Sequence, residues 1–291
     1  MSAIAYITDS KMLDFHRLNV NSSMNFWRLS NKTSFIDFGE NDLVFFLSKD
    51  KKMMNKGEKG IVGFGKVEKI LNNSPLVLWR KFKKANGYNT YKEFKKAIIK
   101  VTKDKKLPKK ISSFYLKDVV FFQAPIYLSE CGINLSNKLE SYIYIKPKEA
   151  VIKLLDYAKD NIDIWSKNED ALGLINDEKL EYAIRLVYDI YGDFKLSKNE
   201  LLRGKRTMKK LKKLNPLCNY VSSSKTQLSY VKDGNVLIVL YNNKNIDKRL
   251  LIGQVELYKK YIGKYYSYPY KLYFKTSDSD KELETILNKN I

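Results

Sequence analysis

Histidine is almost missing from this chain: among 291 residues there is one, His16. A catalytic triad with a histidine base, an HExxH zinc protease site and an HNH nuclease each need histidine beside other fixed groups, so all three are excluded. His16 itself lies in a polar leader and is expected at the surface. Cysteine is nearly as scarce. Cys131 and Cys218 are far apart and have no CxxC spacing, which supports neither a disulfide framework nor a zinc knuckle and points to a reducing compartment. No window approaches eighteen uninterrupted apolar residues, and the N-terminus has no charged-then-apolar pattern. The expectation is a soluble, cytoplasmic protein without a membrane partner.

Acid is the other shortage. Thirty-two Asp+Glu face 54 Lys+Arg, a formal charge of +22. Some of that lysine solvates surface in a chain rich in Lys, Asn and Ile, but the excess points to a polyanionic partner. What is plentiful is core material: 44% hydrophobic and 13% aromatic residues over a length that suits two domains.

Along the chain, Ala3–Ile7 reads as a strand followed by a loop to Ser23. Asn25–Ser30 and Ser34–Phe38 read as short strands, Gly39–Asp42 as a turn, and Leu43–Leu47 as a strand buried on both faces. After a charged loop, Gly60–Ile70 resumes as a strand in which Gly63 and Gly65 leave room for a bend or a close approach. Ser74 with Pro75 opens a helix that Asn86-Gly87 closes, and Thr90 with Glu93 has capping-box spacing for a second. The second helix repeats Phe94, Ala97, Ile98 and Val101 on one face, and Trp79 and Phe82 of the first point toward the sheet. Between Arg80 and Lys110 there are thirteen Lys/Arg against Glu93 and Asp104, so the opposite helix faces are strongly positive. Residues 112–122 and 126–128 read as strands, and Tyr142–Ile145 as a strand completing the sheet. The second half reads as a helix over 148–161, an acidic loop over 165–175, a helix around 180–188, and a basic run at Arg203–Lys213. A hairpin follows at 228–241, then a helix over 248–261 and a strand at 270–274.

Asn25-Phe26-Trp27, the strand Asp42–Leu47 after a Gly-containing turn, Ile61-Val62-Gly63-Phe64-Gly65, Trp79 with Phe82 before Asn86-Gly87, and Phe121-Phe122 with Pro125 occur in an order with a precedent. In that order the stretch 20–145 resembles the N-terminal reader domain of modification-dependent restriction endonucleases, a branch of the PUA-like superfamily that includes the EVE and YTH domains. The resemblance implies a strongly bent β-barrel flanked by helices, with a concave face that accepts a base swung out of a duplex. Such a pocket needs aromatic faces and a few polar groups that recover the cost of unstacking. Asn25, Trp27, Phe64 and Trp79 are the pocket candidates, although Trp79 and Phe82 on a helix suit a core better than a cage and the glycines suit packing. Arg80, Lys81, Lys83, Lys84, Lys95 and Lys96 are candidates for phosphates. On the basic run, Arg203, Lys205 and Arg206 suit either phosphate or solvent.

The second half lacks the histidine of an HNH domain. Its hairpin, helix and strand, with Gln254 and Tyr258 on the helix, resemble a PD-(D/E)xK nuclease core, but the second hairpin strand carries no acid and Asp233 and Glu256 are misplaced for metal binding. Asp193-Phe194-Lys195 and Glu93-Phe94-Lys95 match the bare tripeptide by chance. The expected class is α+β: a PUA/EVE-like barrel over 1–147, a helix and linker over 148–175, and a basic α/β domain over 176–291. The expected function is recognition of a modified base in DNA by base flipping within a restriction or anti-phage system, with no cofactor and with cleavage supplied by a separate nuclease or ATPase subunit. The alternatives are an active metal-dependent nuclease, which would need Mg²⁺, and an RNA-binding PUA-like protein.

Overall fold

Strands buried on both faces need layers on both sides, and two here meet that condition outright. Every residue of β1 (Ala3–Thr8) and of β3 (Leu43–Ser48) is buried, as the apolar run at 43–47 requires. The computed structural model describes residues 3–29, 35–50, 54–55, 57–136, 138–163, 170–193, 196–221 and 224–289, and the chain divides into two units, Met1–Leu174 and Ile175–Ile291. The class is α+β.

In the first unit, α1 (Ser10–Leu18), β2 (Met24–Arg28), the two-residue strands β4 (Met54–Asn55) and β5 (Glu58–Lys59), β6 (Ile61–Asn73), α2 (Pro75–Phe82), α3 (Tyr91–Val101), β7 (Ile111–Ile126), β8 (Tyr142–Ile145) and α4 (Lys148–Lys159) accompany β1 and β3. Six strands form one sheet in the order β2-β7-β6-β3-β1-β8; β1 runs parallel to β3 and the other pairings are antiparallel. A flat sheet would place β2 and β1 four spacings, about 19 Å, apart. Yet the rings of Phe26 on β2 and Tyr6 on β1 lie 5.2 Å apart, so the sheet rolls up on itself. The bend comes from β6 and β7, whose ladder shifts register three times, each bulge adding a kink and twist. At one of these Gly63 is obligatory, because a Cβ there would sit 2.5 Å from the Val120 carbonyl oxygen. Inside the roll, Ile4, Tyr6, Phe26, Val44, Phe46, Phe114 and Phe121 form one core. Helices α2 and α3 carry a satellite core of Leu78, Phe94, Ile98 and Ile111.

The caps fall where the sequence puts them. Ser74 accepts from the Val77 amide with Pro75 in the first turn, Thr90 and Glu93 form a reciprocal capping box, and Gly87 ends the intervening 3₁₀ turn at φ 86°. Several expectations fail. Residues 10–18 form a helix rather than a loop, capped by Asp9. His16 is fully buried beside Met12 and Leu13 rather than exposed; its imidazole fills an apolar position, so the helical period is invisible when histidine is scored as polar. Of Ser34–Phe38, Ser34 lies outside the described residues, and Phe35–Phe38 closes a tight turn through a single bridge instead of a strand. The two strands read at 112–128 are one 16-residue strand. Val101 at the end of α3 is exposed. Of the acidic loop, residues 164–169 lie outside the described residues and 171–175 are helical.

The second unit contains α5 (Ala171–Tyr191), which crosses the point of division, α6 (Lys198–Leu214), β9 (Asn219–Tyr220), β10 (Gln227–Lys232), β11 (Asn235–Leu240), α7 (Lys248–Tyr265), β12 (Lys271–Thr276) and α8 (Lys281–Leu287). Its sheet has the order β12-β11-β10-β9. Asp233 (φ 50°) and Gly234 (φ 73°) make the two-residue hairpin turn between β10 and β11, and α7 carries the chain over to β12, which lies parallel to β11. Helix α8, unanticipated from sequence, covers the sheet edge: Asn288 hydrogen-bonds both the amide and the carbonyl of Phe274, and Glu284 accepts from the Thr276 amide. Side chains thereby occupy an edge that would otherwise invite another strand.

Two outcomes follow for stability, both read by tryptophan fluorescence, since Trp27, Trp79 and Trp165 all fall within the span of the first unit. Gly63→Ala, which must push β6 from β7, should cost about 2–3 kcal/mol in guanidinium unfolding. Burial pushes the His16 imidazole down to about 4, whereas in the unfolded chain it protonates near its ordinary value of about 6.5. Between those values the unfolded chain binds more protons, so stability falls as pH is lowered through that window. Wild-type protein should lose on the order of 3 kcal/mol more than His16→Gln between pH 6.5 and 4; equal slopes would mean that His16 is not protonated on unfolding.

Candidate nucleic-acid interface

The rolled sheet does not join its own ends. β2 and β8 are the terminal strands, and between β2 and the end of β1 a cavity of about 260 Å³ opens, lined by Tyr6 to Asp9 of the β1 end, Met12, Phe26 to Leu29 of β2, Lys49, Val101 at the end of α3, and Glu140 and Ser141 just before β8. That is below the roughly 300–1,000 Å³ of a pocket for drug-sized ligands and suits a single planar group.

Alternation on β2 decides what reaches it. Met24 and Phe26 point into the barrel core, so Arg28, two residues on, points the same way. It is 5% exposed, its guanidinium 4.3 Å from the Phe114 ring centroid and 4.5 Å from that of Phe35. Burial lowers its pKa, and the nearby Tyr6 hydroxyl, hydrogen-bonded to it, opposes that shift. A buried cation held by aromatic faces is a costly feature for a core. Sequence reading passed over Arg28, although the inward phase of Phe26 was enough to place it. Around it, Ser141 Oγ donates to Tyr6 Oη at 3.3 Å, and Thr8 Oγ1 donates to the Tyr6 carbonyl.

The four pocket candidates do not converge. Trp27 lines the cavity, its ring edge-on to Phe94 at 5.7 Å and its buried indole Nε1 without a hydrogen-bond partner. Asn25 is fully buried; its amide nitrogen donates to Asn86 Oδ1 at 2.8 Å, and Asn86 in turn donates to the carbonyls of Lys83 and Leu78. Asn25 therefore ties β2 to the end of α2 and lines no cavity. Trp79 stacks on Phe94 at 5.9 Å within the satellite core. Phe64 is fully buried against Phe45 and Phe122, away from the seam. Phe82, expected to face the sheet, stacks on Tyr115 of β7 at 4.7 Å.

The phosphate candidates are exposed throughout: Arg80, Lys81, Lys83 and Lys84 at the end of α2, Lys95 and Lys96 on α3, and Arg203, Lys205 and Arg206 on α6. Among the described residues none of these nine forms an ion pair. Of α3, Val101 lines the cavity.

In the second unit, the hairpin, helix and parallel strand occur in the order anticipated from sequence. β11 carries no acid, and Gln227 at the start of β10 accepts from the Tyr258 hydroxyl of α7. Asp193, its pKa raised chiefly by burial, accepts hydrogen bonds from Tyr188 and Thr226; Phe194 and Lys195 lie outside the described residues. Glu93 is consumed by its capping box. Gln254 donates to the Gly192 carbonyl. Among the described residues no group of three or more His, Cys, Asp or Glu is gathered to hold a metal, and no helix is long and apolar enough to cross a membrane.

No protein-family model and no curated protein matches the sequence. Among solved structures the chain is similar to the ASCH protein of Zymomonas mobilis, at 13% identity and a TM-score of 0.37, over 53% of this chain and 95% of that one. Two single-substitution variants of that protein match at 13% and 12% identity, with TM-scores of 0.37 and 0.39, over 54% of this chain and 98% and 96% of theirs.

Losing either amide of the Asn25–Asn86 pair strands buried polar atoms. Asn25→Ala should therefore destabilise the first unit by about 1–3 kcal/mol, and Trp79→Ala, which removes a half-buried ring stacked on Phe94, by less than the roughly 3–5 kcal/mol of a fully buried aromatic. Trp27→Ala should cost less than Trp79→Ala. The tryptophans remaining in each variant report the unfolding.

Proposed function

We propose that the first unit is a PUA-like nucleic-acid-binding domain that takes a single base into the seam between β2 and the end of β1. The observation that carries this reading is that Trp27 and Arg28, successive residues on opposite faces of β2, both line a cavity of one-base size, which Val101 at the end of the lysine-bearing α3 also lines. An indole with a spare N–H, a buried guanidinium and hydroxyls from Tyr6 and Ser141 provide a stacking face and hydrogen bonds for the edge of a base, which is what extraction from a stack requires. The exposed cations supply the sequence-independent part of binding through phosphates. The order of the Asn-Phe-Trp, Gly-Phe-Gly and Trp segments supports the same family reading, with Trp27 alone of the four pocket candidates at the cavity.

The finer reading is that the base is a modified one in DNA, flipped from the duplex, and that the protein serves a restriction or anti-phage system in which a separate nuclease or ATPase subunit acts. In the second unit, the positions where a metal-dependent nuclease would place its acids carry neutral, hydrogen-bonded groups, which supports recognition without intrinsic cleavage.

Gel-shift titrations on methylated, hydroxymethylated and unmodified duplexes, with matched RNA as competitor, test both levels. One modified duplex should bind at least tenfold tighter than its unmodified twin. Trp27→Ala should abolish that ratio while leaving the salt dependence intact, and charge reversal at Lys95 and Lys96 should weaken all duplexes together and flatten the salt dependence. Equal affinity for every duplex, unaltered by Trp27→Ala, would overturn base reading; stronger competition by RNA would move the substrate to that polymer.

A further inference from the structure

Register makes the two faces of the second sheet unequal. Residues paired directly across strands share a face, so one face consists of the rows Val231–Val236–Leu272, Ser229–Ile238–Phe274 and Gln227–Leu240–Thr276. These are buried except for the half-buried Val231, and α7 lies over them, with Tyr258 reaching both Phe274 and Gln227. The other face consists of Lys232–Asn235–Lys271, Tyr230–Leu237–Tyr273 and Tyr220–Leu228–Val239–Lys275. Apart from Leu228 it is half-buried or exposed, and Tyr273 is 48% exposed.

The middle row of that face frames a hollow of about 390 Å³ whose lining includes Tyr230, Leu237 and Tyr273, with Asn235 and Lys275 beside them. Tyr230 and Tyr273 stand on β10 and β12, two strand spacings or about 10 Å apart, with Leu237 as the floor between them. A flat ring held between two others needs about 7–8 Å, twice the optimal carbon–carbon separation. Among the described residues neither tyrosine has an aromatic partner. Cations flank the row on both sides: Lys232 and Lys271 above, Lys275 below, and Lys212 of α6 lying 4.9 Å from the Tyr220 ring centroid. Glu284 is the one acid lining the hollow, and it accepts from the amide and hydroxyl of Thr276.

We infer that this open sheet face binds single-stranded nucleic acid, with one base inserted between Tyr230 and Tyr273 over Leu237 and the neighbouring phosphates on Lys232, Lys271 and Lys275. Aromatic rings on an open sheet within a cationic border are what sequence-tolerant strand binding uses. The positive border complements a phosphate backbone, and the exposed rings complement bases that only a single strand leaves unstacked. The site is separate from the seam cavity in residues and in unit, and it stands whether or not the seam reads a base.

Phosphate attraction alone would make so basic a chain bind any oligonucleotide, so the test must isolate stacking. Fluorescence anisotropy of the full chain with a labelled 12-mer and with an abasic strand of equal length and charge, in deoxyribose and ribose series, does this. Intact strand should bind about tenfold tighter than abasic strand in at least one series. The Tyr230→Ala/Tyr273→Ala double variant should erase that ratio, Tyr230→Phe/Tyr273→Phe should keep it, and Trp27→Ala should leave it unchanged. Lys271→Glu should weaken both strands equally. Tyr273→Ala alone, at an exposed position, should already reduce the ratio without altering the thermal unfolding midpoint, which guards against a double variant that fails to fold. A ratio of one in the wild type, a ratio that survives the double alanine variant, or one lost with Trp27→Ala would each overturn the site.

Discussion

The first unit depends on one close approach, that of β6 to β7 at Gly63. There the two longest strands of the sheet come near enough that a single methyl group would strike the Val120 carbonyl, and the ladder slips register on both sides of it. Long strands without those bulges would twist gently and leave their ends far apart. With them, Tyr6 meets Phe26, and a sheet with two free edges becomes an almost closed barrel with an apolar interior. The seam follows because rolling brings β2 toward β1 and β8 without giving it a ladder partner there. A cavity at that line is bounded by strand ends, with polar backbone and side chains at its rim and aromatic rings behind.

Arg28 shows how the roll and the site are linked. In a flat sheet its side chain would stand over β7 in solvent; in the rolled one it lies in the barrel between Phe35 and Phe114. Desolvation weakens its hold on a proton, and the neighbouring tyrosines oppose that effect. A guanidinium so held keeps a fixed orientation, because it rests against two adjacent rings and is hydrogen-bonded to Tyr6. Orientation is what a reader of hydrogen-bonding edges needs, whereas the exposed lysines of α2 and α3 act as mobile charge and need none.

Much of this was legible in the residues. Ser74-Pro75, Thr90 with Glu93, and Asp233-Gly234 announced their caps and turn because each acts through its own backbone, and local chemistry is what a sequence displays. The buried strand at 43–47 was legible for a similar reason, its run being apolar without alternation. What stayed hidden was non-local. His16 in an apolar slot masked α1, since Gly87, 71 positions on, packs against it, a contact that its neighbours in sequence do not reveal. Asn25, read as a pocket candidate, and Asn86, read as a helix end, lie 61 positions apart and are paired only by the fold. Phe64 was assigned to a pocket through the resemblance of its Gly-Phe-Gly segment, but the glycine before it serves the strand crossing and the ring goes to the core.

The second unit makes the complementary point about acids. A strand-helix-strand core of this order can gather carboxylates at the start of its hairpin, and a buried carboxylate there is stable only if it is paired, protonated or bound to a metal. Here the positions are taken by Gln227 and Tyr258, which satisfy each other without charge, and by Asp193, which burial pushes toward protonation and which hydroxyls of Tyr188 and Thr226 solvate. This arrangement ties the covered face of the sheet together by side-chain hydrogen bonds. Charge in this unit is also buried, on α5, where Arg185 pairs with Glu181. That cation is neutralised within its own helix, so the cations open to solvent include those of α6 and of the lysine rows that border Tyr230 and Tyr273.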